Sequence, residues 1–400
     1  MQVKPVTLLM MLVLILTLLT GCWSKVEVSD VAMVTAVGLD KTDKGKIQLS
    51  LELAVPRLLG VTNQTGGEKL ETKAGWILSA EGETILEAYR YIQQKVQRKI
   101  VFYHSKVIVI GEKLARSGML PVLDFFERYK QSQIKSHILF TKGEAVKILE
   151  YNPVFEKLSS EIMREEAKSK RNVSVRLLQF MDMMVSPGDT PMAARVQLLP
   201  AQIDKNSNES DPGSSQISSL SVRGAALFHK DQLIGWLNET ETRGAMWLKN
   251  RMKDAVTTAE VPAEKGGGRI SAQVHTAHTK YHTLADTKGI TINVDTYAGI
   301  SIFENTSKLD MSSPKDLDYV RALVADDVKA RIELVCHKAQ QEYKTDILGF
   351  GQIVYRQHPK QWNTSYAKEW ENLFPEVPIN IIPHISITQV GLTNKSIELE

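Results

Sequence analysis

The stretch SPKDLDYVRALVADDVKARIELVCHKA, residues 313–339, predicts the longest helix of the chain and decides how its C-terminal part folds. Ser313 suits the N-cap position, Pro314 suits the first turn, and Asp316 stands three residues after the cap, as in a capping box. Apolar residues then recur every three or four positions, at Leu317, Val320, Val324, Val328, Ile332, Val335 and Ala339. The pattern predicts one buried stripe on a helix that lies across a sheet.

The segments on both sides of this helix have the composition of the strands it would cover. Residues 270–284 and 289–305 are rich in Thr, Val and Ile, and they predict two long antiparallel strands joined around Asp286–Gly289. After the helix, the sequence PINIIPHISITQVGL (378–392) predicts a further strand. Pro383 would place that strand at an edge or a bulge, because proline cannot donate to a ladder.

Strand and helix patterns alternate in the N-terminal half. Residues 31–40 and 46–56 predict a hairpin, and in its second strand every other residue is apolar, so one face is expected in the core and the other in water. Thr84 and Glu87 form a capping box before a helical stripe. A strand over 100–111 follows, and then more helices and strands. This order predicts a mixed sheet with helices packed on it.

One segment differs from the rest in composition and suggests a domain boundary. The sequence AQIDKNSNESDPGSSQISS, residues 201–219, is rich in Ser, Asn, Asp, Pro and Gly and has few large apolar side chains, which is typical of a linker or long loop. The sequence thus predicts a multi-domain α+β protein. Its parts would be a signal peptide (1–21), an N-terminal mixed α/β domain (22–200), the linker (201–219), a small middle domain (220–265) and a C-terminal domain of antiparallel strands with the long helix (266–400).

Bulk composition limits the classes of function. The 400 residues are 43% hydrophobic and 24% charged, which is ordinary for a globular protein and argues against wholesale disorder. The formal net charge is +3, and no dense block of Lys and Arg occurs. We therefore expect no nucleic-acid partner.

The N-terminus predicts export and lipidation. Lys4 precedes the uncharged apolar run 6–20, which is shorter than the ~18–20 residues that span hydrocarbon comfortably, and small Gly21 and then Cys22 follow. The sequence Leu19-Thr20-Gly21-Cys22 resembles the bacterial lipobox. That resemblance implies cleavage between Gly21 and Cys22, with a diacylglycerol and an N-acyl lipid on Cys22. The alternatives are a retained membrane anchor, or an ordinary signal peptide with a chance cysteine.

Cys336 is the other cysteine of the two in the chain. A mature chain with Cys22 lipidated would have one free thiol and no internal disulfide, so its fold would depend on its core alone. Cys336 lies within the helical pattern. We expect a small buried apolar side chain there, with a reactive or intermolecular thiol as the alternative.

The motifs that could carry chemistry do not form a recognisable site. His275, His278 and His282 would share a helix face, but the segment predicts a strand, on which His278 and His282 are ~13 Å apart and cannot share one metal ion. The glycines in Gly349–Gln352 lack the third glycine of a dinucleotide loop and suggest the end of a helix and a turn. We therefore expect no metal site and nominate no catalytic residue.

Several longer motifs, in this order and spacing, resemble one family. They are LTGCW at the lipid site, VAMVTAVGLDK with Gly38 and Asp40, HSKVIVIGEKLARSGMLPVLDFFER, RGAMWLKNR, DILGFGQIVYRQHPKQW and WENLFPEVPINIIPHISITQVGL. Together they resemble the Ger(x)C spore germination lipoproteins, the C subunits of nutrient germinant receptors, nearly from end to end. The chain has Ser24 where that family often has Asp, and Tyr129 after Arg128 where it tends to have Asp.

The resemblance implies a context for the chain and no reaction. It implies three mixed α/β domains held at the outer face of the spore inner membrane, where they work with integral membrane A- and B-type receptor subunits in sensing nutrients. The expected function is therefore that of a non-enzymatic receptor subunit. The alternatives are a solute-binding lipoprotein that captures a small germinant and a cell-wall hydrolase, for which we find no paired carboxylates.

One aromatic segment is a candidate for docking a partner. The sequence YRQHPKQWNTSYAKEW, residues 355–370, contains Trp362 and Trp370, and tryptophan is common at interface hot spots. The alternative is that both side chains pack into the core, as large aromatic residues usually do.

Overall fold

The computed structural model describes residues 27, 30–55, 74–129, 132–153, 155–169, 172–200, 219–286 and 289–391. Within these ranges the chain forms a ten-stranded sheet and a four-stranded sheet, each packed against helices. The expected α+β class is confirmed. None of the helices in these ranges combines the length and the apolar character needed to cross a bilayer.

The first sheet collects the strands of the N-terminal half and two that follow it. Its strands are β1 (Val31–Lys41), β2 (Ile47–Ala54), β3 (Gly75–Gly82), β4 (Lys99–Val101), β5 (Val107–Gly111), β6 (His137–Thr141), β7 (Val175–Arg176), β8 (Met192–Leu199), β9 (Ser219–His229) and β10 (Gln232–Leu237). Their order is β10-β9-β8-β6-β5-β1-β2-β3, with β4 added to β1 and β7 added to β6. The helices between these strands are α1 (Ile85–Gln94), α2 (Glu112–Ser117), α3 (Leu120–Arg128), α4 (Ala145–Leu149), α5 (Ser159–Lys168) and α6 (Leu177–Val185).

The predicted hairpin and the first helix cap are confirmed. Strands β1 and β2 pair antiparallel, and the Thr84 hydroxyl accepts from the Glu87 amide at the start of α1. The single strand expected over 100–111 is instead two. β4 pairs with the first residues of β1, the chain then turns at Tyr103–His104, and β5 pairs with β1 further along. Both pairings are parallel, and sequence periodicity does not reveal the interruption between them.

The face of β2 that was expected in water is covered. Ser50 and Glu52 are buried, because α4 and α5 lie over that side of the sheet. The Ser50 hydroxyl is hydrogen-bonded to the Ser79 hydroxyl at 2.7 Å, and Glu52 bonds to Ser159 at the start of α5. Local alternation gave the correct strand, but it could not show that both faces are covered.

Residues 220–265, for which the sequence suggested a small middle domain, divide between the two sheets. β9 pairs antiparallel with β8 and β10 pairs with β9, so both extend the first sheet. After helix α7 (Glu239–Leu248), the strand β11 (Ala255–Glu260) pairs with the second sheet. This division arises from pairing with β8, a strand that precedes the linker.

The second sheet has the order β11-β12-β13-β14, with β12 (Arg269–Asp286), β13 (Gly289–Asn305) and β14 (Ile379–Gln389). The long hairpin β12–β13 is confirmed. β14 is an edge strand, as Pro383 indicated, but it runs parallel to β13. A parallel partner requires a long crossover, and helices fill it.

The long helix α8 (Pro314–His337) has the predicted cap and stripe. The Ser313 hydroxyl accepts from the Asp316 amide, and all of the predicted stripe except the half-buried Leu317 is buried. A π-helical turn, Lys338–Glu342, extends it. The helices α9 (Phe350–Gln357), α10 (Pro359–Gln361) and α11 (Ala367–Leu373) then lead to β14.

One of the hydrophobic clusters spans both sheets, while two others lie within the first sheet and its helices. Met192, Leu227 and Leu237 of the first sheet belong to the same buried cluster as Trp247 of α7 and Ile300 of β13. The described halves of the chain are therefore packed against each other, and the polar site described next lies at that junction.

Candidate functional site

The lipidation site predicted at Cys22, and the cleavage position Gly21–Cys22, lie outside the described residues. The structure does show where the chain that follows them joins the fold. Val31 begins β1 and pairs with Lys99 at the start of β4. Any lipid on Cys22 would therefore be attached near the beginning of these two strands.

Trp362 and Trp370 do not form an exposed docking surface. Their side chains are 4% and 6% exposed, and their ring centroids are 5.5 Å apart within the shared core. The docking hypothesis for these two residues is therefore corrected, since a partner cannot reach indoles that the core already covers. Trp370 has a different role, because its Nε1 donates to the Asp346 carboxylate at 3.0 Å.

Asp346 is a buried carboxylate that accepts four hydrogen bonds. Its Oδ1 accepts from the amides of Gly349 and Phe350 at 2.8 and 3.0 Å, and its Oδ2 accepts from the Gly351 amide at 2.6 Å. The Trp370 indole supplies the fourth donor. Free amides at a helix N-terminus attract anions, and here the chain's own carboxylate takes that place at the start of α9. Burial raises the pKa of the Asp346 carboxyl, although these donors act in the opposite direction.

The glycines of the GFGQ sequence are required by this geometry. Gly349 has φ +81°, in the left-handed region. At Gly351 an added Cβ would lie 2.7 Å from Trp370 Nε1 and 3.0 Å from the carbonyl oxygen of Gly188. The sequence suggested that these glycines end a helix, but in the structure they begin one. Their amides are already occupied, so the described arrangement does not offer them to a nucleotide phosphate.

A loop of the first sheet completes the site. The Gln352 amide donates to the Gly188 carbonyl at 2.8 Å, and Asp189 lies 3.7 Å from the Lys249 ammonium, which follows α7. Burial lowers the pKa of Lys249, while the charges of Asp189 and Asp346 raise it. We call Asp189, Lys249, Asp346 and Trp370, together with the Gly349–Gly351 amides, the junction cluster.

The contacts of the junction cluster indicate a structural role. Both oxygens of Asp346 are occupied by donors, and the largely buried Lys249, with 14% of its side chain exposed, is attracted by the charges of Asp189 and Asp346. Perturbed pKa values mark functional sites in general, but buried ion networks also produce them. Because the cluster joins residues of the first sheet to the helices beside the second, its direct effect is to fix the two halves relative to each other.

Two other buried carboxylates, Asp40 of β1 and Glu52 of β2, also accept hydrogen bonds from the first amides of helices. Asp40 accepts from the Ala145 and Val146 amides of α4 at 2.7 and 3.1 Å. Glu52 accepts from the Thr35 hydroxyl at 2.6 Å and from the Ser159 amide at 3.0 Å. Sequence analysis assigned neither a role of this kind. The available signal was an acid within an otherwise apolar strand, and it does not identify the helix that the acid caps.

The histidine segment is a strand, as predicted, and its side chains are separated along it. His278 stacks on Tyr297 at 4.7 Å, and Tyr297 stacks on His384 of β14 at 4.5 Å, while His275 bonds to the Ser301 hydroxyl at 2.7 Å. Among the described residues, no group of three or more His, Cys, Asp or Glu is placed to hold a metal ion.

Cys336 is buried at the inner side of α8 and is 5% exposed. Burial raises the pKa of its thiol well above the usual value. Reactive cysteines are thiolates in accessible, electropositive surroundings. The geometry therefore agrees with the apolar packing role expected for Cys336.

Among the cavities in the described part of the chain, one has a charged lining and another has a more apolar one. A polar cavity of about 530 Å³ lies between β9, α7 and the loop before β11, and Glu239 at its wall pairs with Arg243 at 3.2 Å and with Arg223 at 3.5 Å. A more apolar groove of about 680 Å³ lies between α1, α3 and the β1–β2 turn, with Leu86 and Phe125 in its lining. Neither contains a nucleophile paired with a base.

Comparison with known proteins links both halves of the chain to one family. A family model described as "Spore germination protein N-terminal domain" matches residues 24–198, and one described as "Spore germination B3/ GerAC like, C-terminal" matches residues 223–391. The chain is 26% identical to spore germination protein KC of Bacillus subtilis over 99% of its length and 98% of that protein's length. It is 22% identical to spore germination protein GerQC of Bacillus cereus, over 94% of this chain and 96% of that protein.

A solved structure has the same fold. The crystal structure of the GerBC protein aligns with a TM-score of 0.53 and 17% sequence identity, covering 88% of this chain and 96% of that chain. The likeness extends over both sheets, so the arrangement described here is that of a known fold.

Proposed function

This chain belongs to the family of spore germination proteins that those two matches describe, and from this premise we propose that it is a lipid-anchored, extracytoplasmic subunit of a nutrient germinant receptor. One observation carries the proposal: the family match begins at residue 24, two residues after the Cys22 of Leu19-Thr20-Gly21-Cys22. A family match that begins directly after a lipobox-like sequence is what we expect if cleavage and acylation at Cys22 produce the mature protein.

The proposed anchor is a diacylglycerol on the Cys22 thiol and an acyl chain on its amino group. Each buried methylene contributes about 0.8 kcal/mol, and one chain alone gives only marginal binding, so several chains are needed for stable attachment. The anchor would hold the body at the outer face of the spore inner membrane.

We further propose that the protein acts by assembly with integral membrane A- and B-type subunits and not by catalysis. Attachment to the same membrane raises the local concentration of the partners, so assembly does not require a very tight protein interface. The junction cluster supports this proposal, because it joins the two halves into one body that a partner would bind as a unit.

The experiment compares the two cysteines of the chain. Cys22→Ala should abolish metabolic labelling by fatty acid, release the protein from spore inner membranes that are washed in high salt, and prevent its co-purification with membrane subunits. Cys336→Ala is the matched control, since it removes a buried thiol and should leave labelling and membrane attachment unchanged. Retained membrane attachment and normal germination of the Cys22→Ala strain would refute the proposal.

A second candidate function, capture of a small solute, is favoured by the polar cavity. Arg223 and Arg243 share Glu239 at its wall, and Lys253 and Asp254 line it as well. A pocket with both signs of charge suits a small zwitterion or a polyol. Thermal-shift measurements with amino acids and sugars test this function, because a ligand of the folded state stabilises it by mass action. A saturable shift that Arg243→Ala removes would support solute capture, and its absence for every compound would exclude it in favour of assembly alone.

A further inference from the structure

The strands near the attachment point begin at one end of the first sheet, and we call this end of the strands the attachment edge. The parallel strands β1 and β4 start level with each other, since Val31 pairs with Lys99, and β5 and β6 start about five residues further along β1, where Val107 pairs with Ala36 and with His137. The eight residues 23–30 separate Cys22 from this edge, and they can span at most about 30 Å at ~3.3–3.6 Å per residue. An anchored body therefore keeps this edge close to the bilayer.

Four exposed cations line this edge. Arg98 and Lys99 lie at the start of β4 beside Val31, Lys135 lies just before β6, and Arg176, the last residue of β7, pairs with His137 at the start of β6. In the described part of the chain, none of the four takes part in a salt bridge within 4.0 Å. The pKa of the neighbouring His137 is lowered by burial and then by the positive charge of Arg176.

Two exposed apolar side chains lie in the turns that precede β5 and β6. Tyr103 is 57% exposed in the turn between β4 and β5, and Ile134 is 36% exposed in the turn before β6. The two turns touch, because the Gln133 side chain donates to the Tyr103 carbonyl at 3.1 Å. Protein surfaces that bind at the headgroup level of a membrane commonly combine tyrosine, aliphatic side chains and cations.

The opposite edge of the same sheet has a different charge pattern. There Lys113 is paired with Asp43, Lys46 with Glu83 at 3.3 Å, and Arg116 with Glu112 at 2.6 Å. At the attachment edge the nearest such pair is Lys106 with Glu161, at 3.0 Å. Among the described residues, cations without a salt bridge lie at both ends of these strands: the four at the attachment edge, which the short tether holds near the lipid, and Lys44 and Lys142 at the opposite one.

We propose that Arg98, Lys99, Lys135 and Arg176, with Tyr103 and Ile134 in the turns that precede β5 and β6, form a second membrane contact that binds anionic lipid headgroups. We call these six residues the tether edge. The contact fixes the orientation of the anchored body, so that the second sheet and its helices are presented in a defined direction. The orientation rests on the proposed anchor at Cys22, whereas the affinity of the tether edge for anionic lipid does not.

The test uses the mature chain, residues 22–400, with Cys22→Ser, so that no acyl group contributes to binding. The chain should co-sediment with vesicles that contain phosphatidylglycerol and should not co-sediment with vesicles of phosphatidylcholine alone. Binding should fall as salt is raised to about 0.5 M, because exposed charges are then screened. Equal binding to both vesicles, or none to either, would overturn the proposal without touching the acylation of Cys22.

A quadruple variant assigns the binding to this edge. Arg98→Gln, Lys99→Gln, Lys135→Gln and Arg176→Gln together should lower the partition coefficient at least a hundredfold, since each cation near an anionic surface contributes about fivefold. Thermal unfolding checks that the variant is folded. If it is not, the comparison of vesicle composition and salt on the unsubstituted chain still decides the question.

The matched control removes the same number of charges at the other edge. Lys44→Gln, Lys113→Gln, Lys142→Gln and Lys147→Gln together change the net charge equally and should leave vesicle binding within about threefold of the original, because those residues lie away from the tether. Equal loss in both quadruple variants would show an unspecific charge effect and overturn the assignment. If the chain does not bind vesicles but receptor assembly requires the tether edge, these cations contact an acidic segment of a partner protein. That result would also overturn the proposal.

Discussion

Asp346→Asn is the sharpest perturbation of the junction cluster. Asn keeps the shape of the side chain, but its amino group replaces an oxygen that accepts two hydrogen bonds, so two buried donors lose their acceptor. Hydrogen bonds to a charged group contribute ~1.5–3 kcal/mol each, which gives about 3–6 kcal/mol for two. The neutral Asn side chain does not carry the desolvation cost of a buried charge, which raises the pKa of Asp346, and this offsets part of the loss. We therefore expect the lower end, a decrease of about 3 kcal/mol in the free energy of unfolding.

Urea unfolding of the mature chain measures this decrease, with tryptophan fluorescence and far-UV circular dichroism followed together. Asp318→Asn is the matched control, because Asp318 lies on α8, is 66% exposed and pairs only with Arg321 at the surface. An exposed pair of this kind contributes ~0–1 kcal/mol. If Asp346→Asn lowers the stability no more than Asp318→Asn does, the reasoning about the junction cluster is refuted.

Three further substitutions test separate parts of the fold by the same unfolding measurement. Gly351→Ala should lower stability by about 1–3 kcal/mol because its Cβ would lie 2.7 Å from the Trp370 indole nitrogen, whereas Gly143→Ala, with open space around it, should change little. Glu52→Ala should lower the free energy of unfolding by about 3 kcal/mol, because buried donors lose their acceptor. The control Glu81→Ala, on the exposed side of β3, should change it by no more than about 0.5 kcal/mol. Equal effects would indicate that Glu52 faces water. Trp370→Ala should cost about 3–5 kcal/mol, and a negligible loss would return that side chain to the surface.

Elements with a local signal could be predicted from the sequence. The helix α8 was predicted because its cap at Ser313 and its apolar spacing are both encoded in consecutive residues. The hairpins β1–β2 and β12–β13 were predicted for the same reason, since turn residues separate two runs of strand composition. In each case the interacting residues are near one another in the chain.

The pairing of distant strands could not be predicted in this way. β9 joins β8 across the composition break at 201–219, and β14 joins β13 in parallel after a crossover that contains the four helices α8 to α11. Neither strand carries a periodic feature that identifies its partner. Within 220–265, β9 and β10 pair in the first sheet and β11 in the second, which chain order alone does not indicate.

The candidate site was the hardest part to predict. Asp346 and the GFGQ glycines are close in sequence, but their meaning depends on Trp370 and on Gly188, which approach from other elements. The tryptophans were considered as docking residues because interfaces and cores favour the same aromatic side chains. Only the fold shows that the Trp370 indole is occupied by a buried carboxylate.

Mass spectrometry of the protein isolated from spore membranes tests the central claim, attachment through Cys22, most directly. We predict an N-terminal peptide that begins at Cys22 and carries a diacylglycerol on its thiol together with an acyl group on its amine. A peptide that retains residues 1–21, or one in which Cys22 is unmodified, would contradict the proposed anchor.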